Sequence, residues 1–130
     1  MHWWRFKNEN SMKFRGLREN KTWVYGYYYT WKRYGREIPI VGEGVQNGSV
    51  NGDEVIPETV GMFTGKYNTD RVEIYQGDVL SIDNEETYIV EWGEEEAGFY
   101  LFQEATARTF YFPDLEGLKV VGNIHVATCG

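Results

Sequence analysis

Aromatic side chains occupy every second position of the stretch WVYGYYYTW, and this alternation constrains the fold more than any other feature of the sequence. The rings are Trp23, Tyr25, Tyr27, Tyr29 and Trp31. A period of two places side chains on one face of a β-strand. Residues 13–18 and 22–32 flank the polar turn Glu19-Asn20-Lys21, so the sequence predicts a β-hairpin whose second arm carries all five rings. The simplest role for such a face is to cover a hydrophobic core.

A glycine and an aspartate interrupt the β-forming residues of the second half. Val72 to Tyr75 is a short apolar segment, and Gln76-Gly77 predicts a tight turn in which the glycine takes a left-handed conformation. The Asp78 carboxylate can accept backbone N–H bonds at this corner. An antiparallel meander follows, with Leu80 and Ile82 on one face of its first strand and with Tyr88, Val90 and Trp92 facing inward. Its predicted strands cover residues 79–82, 87–92 and 98–102, and a closing strand covers 118–126 with a bulge at Gly122-Asn123.

The middle of the chain reads as loop-rich. Glu37 to Val41 is a short strand candidate, and Asn47-Gly48 and Asn51-Gly52 are turn signals. Residues 103–109 are the one short helix candidate. Together these patterns predict an all-β fold with little helix, in which an N-terminal antiparallel hairpin or sheet packs beside a C-terminal SH3-like, partly open barrel.

A long central motif resembles the signature of the YopX family, whose members are small proteins of bacteriophages and prophages. The motif reads VIPETVGMFTG over residues 55–65 and continues, after a turn, as IYQGDV over residues 74–79. The segments KFRG and WVYGY agree with the family's N-terminal hairpin, and VGNIH at residues 121–125 agrees with its ending. Met62 and Gln76 stand where the family usually has glutamine and glutamate.

The resemblance extends from Met12 to Val126 and implies an all-β domain with an SH3-like barrel, a phage or prophage origin and no established enzymatic activity. Residues 1–11 would then be an N-terminal extension, with translation beginning at Met1 or Met12. Residues 12–130 would form a single domain, with hairpin and loops in 12–57 and the barrel meander in 58–126. The motif residues expected to be structural are Pro57, Glu58, Thr59, Gly61, Gly65, Gly77 and Asp78.

Charge is distributed unevenly along the chain. Residues 1–36 contain nine Lys or Arg and two Asp or Glu, giving +7, whereas residues 37–130 carry −14. The two parts could fold against each other, or the asymmetry could mark an interaction surface. No apolar run approaches the roughly 18 residues of a membrane span. The single cysteine, Cys129, leaves no internal disulfide, which predicts the reducing cytoplasm of a bacterial host.

Residue types for catalysis are scarce. A hydrolase triad normally needs a histidine, and His2 and His125 lie in the extension and in a closing strand. Zinc needs three or four nitrogen or sulfur ligands, which these histidines and Cys129 barely supply. The runs Glu85-Glu86 and Glu94-Glu95-Glu96 fall in predicted turns, where like charges remain solvated. We therefore expect no enzyme, no metal and no cofactor.

The N-terminal hairpin carries the strongest binding signal. Basic residues surround its rings, and binders of single-stranded nucleic acid combine a basic groove with stacking rings. The candidate binding residues are Arg15, Arg18, Trp23, Tyr25, Tyr27, Trp31, Lys32 and Arg33. One hypothesis is a protein-binding or assembly module, in which the basic part of one copy meets the acidic part of a partner or of the next copy. The other is an accessory protein that binds single-stranded nucleic acid, and neither involves a membrane.

Overall fold

The computed structural model describes residues 13–46, 49–82, 85–111 and 117–126, and within them the secondary structure is almost entirely β. One short 3₁₀ helix, Pro57–Thr59, interrupts the strands. The strands are β1 Phe14–Leu17, β2 Trp23–Arg33, β3 Arg36–Gln46, β4 Ser49–Glu54, β5 Gly61–Tyr67, β6 Glu73–Tyr75, β7 Asp78–Ile82, β8 Glu86–Gly93, β9 Gly98–Gln103, β10 Arg108–Tyr111 and β11 Lys119–Asn123.

The strands form two antiparallel sheets, which confirms the all-β prediction. The order in the first sheet is β4-β3-β2-β1-β5-β6, and the order in the second is β10-β9-β8-β7-β11. The predicted N-terminal hairpin is present as β1 and β2, with Leu17 opposite Trp23 and Arg18 bonded to Thr22 across the turn. The predicted closing strand is present but shorter than 118–126: β11 pairs with β7, and its register shifts between Val120 and Gly122, just before the expected bulge at Gly122-Asn123.

The chain divides into two compact units, residues 1–63 and 64–130. In the first unit the buried apolar residues are Leu17, Ile40, Val41, Val55 and Phe63. A Cβ on Gly16 would clash with the Val55 side chain, so the glycine lets β1 lie directly against it. The predicted extension, residues 1–11, lies outside the described residues. The prediction of one domain over 12–130, divided near residue 57, stays a prediction.

The main hydrophobic cluster of the second unit is aliphatic. Among the described residues, five form it, and Tyr88, Phe99 and Val120 pack against it from partly buried positions. Its members are Ile74, Leu80, Val90, Leu101 and Leu118. Of the residues expected to face inward, Val90 is fully buried, whereas Tyr88 and Trp92 are only partly buried.

The turn at Gly77 follows the sequence prediction. Gly77 has a φ of 92°, its N–H donates to Val90 O at 2.8 Å, and its carbonyl accepts from Ile124 N–H at 2.9 Å. Asp78 is 1% exposed, and its Oδ2 accepts the Tyr75 N–H at 2.8 Å. The left-handed glycine and the carboxylate together hold the end of β6 against the start of β7.

The loop-rich interpretation of the middle is wrong. β3 continues from Arg36 to Gln46 and pairs with β4, with a register shift between Gly42 and Gly44. Asn51-Gly52 lies inside β4, where Gly52 pairs with Gly42. A Cβ on Gly42 would clash with Gly52 Cα, so these glycines permit close strand approach rather than a turn. The helix candidate at 103–109 is also wrong, since residues 104–107 form a turn and β10 follows.

Candidate binding surfaces

The five alternating rings of β2 lie on one face of that strand, and we call them the ring face. β2 pairs with β1 on one side and with β3 on the other. Arg15 of β1 lies opposite Tyr25, and Ile40 of β3 lies opposite Tyr29. The Arg15 guanidinium carbon lies 4.3 Å from the centroid of the Trp23 ring. A cation stacked on an aromatic face at this distance is stabilised by the ring's electron density. Arg15 makes this contact from a buried position, 6% exposed, and its binding role stays a prediction.

Two rings of this face are open to solvent. Tyr25 is 47% exposed and Tyr27 is 48% exposed, while Trp23, Tyr29 and Trp31 are partly buried. The expectation that all five cover a core is thus wrong for the central pair. Aliphatic residues and Phe63 supply the buried volume of this unit, and Tyr27 faces Gly42, which has no side chain to cover it. Burial of the Tyr29 hydroxyl raises the pKa of that group above 10.0.

The remaining basic candidates do not form a single patch. The Arg18 guanidinium donates to Asp53 Oδ2 at 2.9 Å and also to Thr22 Oγ1 and Trp23 O at 3.0 Å. Lys32 and Arg33 lie at the far end of β2 and are exposed. Because successive residues of a strand alternate in direction, Arg33 shares the face of Trp31 and Lys32 does not.

The turn that joins β2 and β3 presents an exposed, positively charged end, which we call the hairpin tip (residues 32–36). Arg33 pairs with Arg36 across a two-residue turn formed by Tyr34 and Gly35. Both turn residues have positive φ, 51° and 76°. Tyr34 is 91% exposed, and the Arg33 guanidinium carbon lies 5.4 Å from the centroid of its ring. The tip thus displays one aromatic ring among three cations.

The motif residues of the first unit have structural contacts. Thr59 is 6% exposed; its Oγ1 accepts the Leu17 N–H at 2.9 Å, and its hydroxyl donates to Ile56 O at 2.6 Å. Pro57 and Glu58 complete the 3₁₀ helix, and Gly61 pairs with Arg15. Gly65 has a φ of 83° within β5. The threonine therefore holds β1 in place from the 3₁₀ helix.

A groove of about 660 Å³ lies in the second unit, where the β8–β9 turn meets the end of β10. Three consecutive glutamates, Glu94, Glu95 and Glu96, line it together with aromatic residues of the strands. Those aromatic residues are Trp92, Phe99, Tyr100, Phe110 and Tyr111. Sequence reasoning missed this site because it assigned the glutamates to a solvated turn. The sequence carried no signal for this site, because only the sheet brings that acidic run close to Phe110 and Tyr111.

Nearby carboxylates change the ionisation of Tyr100, one of the aromatic residues that line the groove. The Tyr100 hydroxyl donates to Glu91 Oε2 at 2.7 Å. The hydrogen bond to Glu91, partial burial and the negative charges of Glu91 and Glu96 raise the pKa of Tyr100 above 10.0. A Cβ on Gly93 would overlap the Glu96 carboxylate, so this glycine leaves room for the acid to fold back toward the ring.

The pH dependence of stability should report the Tyr100–Glu91 bond. Because the folded state holds the phenol proton more tightly than the unfolded chain, the stability from this bond is present below about pH 10 and is lost as pH rises through the raised pKa. We expect Tyr100→Phe to cost about 1–2 kcal/mol near neutral pH and to flatten the decline as pH rises from about 9 through the raised pKa of Tyr100. Urea unfolding across this range tests it; parallel profiles for the two proteins would contradict it.

Within residues 13–46, 49–82, 85–111 and 117–126, no group of three or more His, Cys, Asp or Glu side chains could hold a metal ion. Across those same ranges, no helix has the length and hydrophobicity needed to cross a membrane. The candidate binding surfaces of the described residues are the ring face with the hairpin tip in the first unit and the acidic aromatic groove in the second.

The fold and these surfaces define a small all-β protein with two antiparallel sheets. Residues 13–127 match the family model described as YopX protein, which spans most of the chain. The chain belongs to the YopX family, as the central motif and the hairpin at its N-terminal side indicated. The comparison with curated proteins gives no match.

Proposed function

We propose that this protein is a binding or assembly module of phage or prophage origin that acts through protein–protein contacts in the bacterial cytoplasm and catalyses no reaction. The observation that carries the proposal is the opposition of charge between two exposed surfaces. The first unit has a net charge of +2 and bears the cationic hairpin tip, whereas the second has −9 and bears the acidic groove. Complementary charge steers association and selects partners.

We also infer that the five-stranded sheet of the second unit is the SH3-like, partly open barrel that the family resemblance implies. Its short strands, the Gly77 corner and the bulge in β11 support strong curvature. In this arrangement β10 and β11 are the terminal strands of the sheet. A barrel that is left open retains free strand edges for a partner.

Size-exclusion chromatography with light scattering tests the assembly function. We expect a mass above that of one chain at an ionic strength of about 0.01 M, where charges act over roughly 30 Å, and a smaller mass at about 1 M, where they act over roughly 3 Å. A mass of one chain at every protein concentration, in both buffers, would remove self-assembly as the function.

Exposure of the ring face favours a second candidate, an accessory protein that binds single-stranded nucleic acid. Tyr25 and Tyr27 are about half exposed on the face that Arg15 shares. Stacking of a base on such a ring contributes about 1–3 kcal/mol. Titration of tryptophan fluorescence with single-stranded DNA at low salt should then show quenching that Tyr25→Ala with Tyr27→Ala weakens and Tyr111→Ala does not. No quenching at micromolar concentrations would end this candidate.

A further inference from the structure

The groove of the second unit lies beside β10, which pairs with one strand, β9, among the residues that the structure describes. β10 is the terminal strand of its sheet, and all four of its residues are exposed. Tyr111, which lines the groove, is 91% exposed. An exposed aromatic ring beside an uncovered strand edge is the kind of surface that proteins use for recognition. The three glutamates of the β8–β9 turn then restrict the occupant to a positively charged one.

The hairpin tip of the first unit has a residue that its own turn disfavours. Two-residue hairpin turns with positive φ at both positions strongly prefer asparagine or glycine at the first. Tyr34 occupies that position with a φ of 51° and is 91% exposed. A left-handed conformation costs a residue with a Cβ about 1–2 kcal/mol. A strained tyrosine that gains almost no burial indicates a role in contacting something else.

We propose that the groove is the docking site for the hairpin tip of a second copy of this chain. The proposal rests on the assembly function and names the two surfaces that meet. Arg33 and Arg36, which pair across the hairpin, would face Glu94, Glu95 and Glu96, and the Tyr34 ring would pack among the aromatic side chains of the groove. Tyrosine and arginine are the residue types that most often dominate protein interfaces.

The contact joins two different surfaces, so it is heterologous. Each copy keeps one free tip and one free groove after pairing, and assembly continues until a ring closes or a fibre grows. A contact of this kind has a distinctive behaviour in mixtures. A copy with a defective tip and a copy with a defective groove can still make one contact with each other, and that pair has no surface left for a third copy.

The test compares a groove variant, Glu95→Lys with Glu96→Lys, and a tip variant, Arg33→Ser with Arg36→Ser. Each alone should weaken self-association roughly tenfold or more, measured by light scattering and sedimentation. Their equimolar mixture should stop at a one-to-one dimer. The matched control, Glu85→Lys with Glu104→Lys, makes the same change in net charge at exposed turns that do not line the groove and should assemble as the unaltered chain does.

A second tip variant separates folding from docking. Tyr34→Asn places a residue that tolerates positive φ in the turn, so the protein should unfold at an equal or higher urea concentration. Its self-association should nevertheless weaken several-fold, because the ring is lost. Tyr34→Phe keeps the ring and should retain association.

The outcomes are distinguishable. Monomers of the unaltered chain in all conditions would overturn both the assembly function and the docking site. The docking site alone would be overturned if the groove variant assembled as well as the unaltered chain. The same would follow if the equimolar mixture of the groove and tip variants remained monomeric. Equal loss of assembly in the Glu85→Lys, Glu104→Lys control would also overturn it, since general charge and not the groove would then govern the contact.

Discussion

Truncation of Leu80 to alanine is expected to lower the free energy of unfolding by about 3–4 kcal/mol. Leu80 has no exposed surface and belongs to the aliphatic cluster, whose other members come from four other segments of the second unit. Removing three carbon atoms from this position forfeits their burial and leaves a cavity that the surrounding strands can only partly fill. Urea unfolding followed by circular dichroism measures the change.

Ile82 provides the matched control for Leu80. It lies two residues further along the same strand and is 45% exposed. We expect Ile82→Ala to cost less than about 1 kcal/mol, because much of its side chain is already in water. Similar losses at the two positions would show that burial in this core does not govern stability.

Replacement of Asp78 by alanine is expected to cost about 2–3 kcal/mol. The Asp78 carboxylate is buried and accepts the backbone N–H of Tyr75, so its removal leaves that donor without the bond it makes here, in a site closed to water. Asp78→Asn retains an oxygen that can accept the same N–H and should cost less than the alanine variant. Equal losses for the two variants would show that the negative charge, rather than the acceptor, is what the turn requires.

Gly77, which precedes Asp78, gives an independent measure of how much this turn contributes to stability. A Cβ on Gly77 would meet only ordinary contacts, the nearest at 3.5 Å from His125 Nε2, so the cost of Gly77→Ala comes from its φ of 92°. We expect about 1–2 kcal/mol. Gly98→Ala is the control, since Gly98 adopts no left-handed conformation and has space for a methyl group. Its effect on unfolding should be close to zero.

Local chemistry explains what could be predicted from the sequence. At the Gly77 corner, the left-handed glycine and the carboxylate act on groups within three residues, so their identities are enough to predict the turn. The alternation of rings in β2 likewise shows that they share a face, since that follows from strand geometry alone. It does not show whether anything covers the face, and Tyr25 and Tyr27 are in fact about half exposed.

Contacts between residues that are distant in the chain explain what could not be predicted from the sequence. Gly42 and Gly52 resembled loop residues, and only their pairing across β3 and β4 shows that they allow two backbones to approach. The groove has the same origin: Glu95 and Tyr111 are far apart in sequence and line one site because β9 pairs with both β8 and β10. No local pattern contains such a neighbourhood.

The place of β1 in its sheet has a consequence for synthesis on the ribosome. β1 is translated before its two neighbours, β2 and β5, yet it lies between them. The hydrogen bonding of β1 is completed only when the Leu17 N–H donates to Thr59, 42 residues later, and when the Phe63 N–H donates to Lys13 O. A nascent chain that has emerged only as far as β4 therefore exposes one open side of its earliest strand. During that interval a cellular chaperone, or another nascent copy, has access to an edge that the finished protein covers.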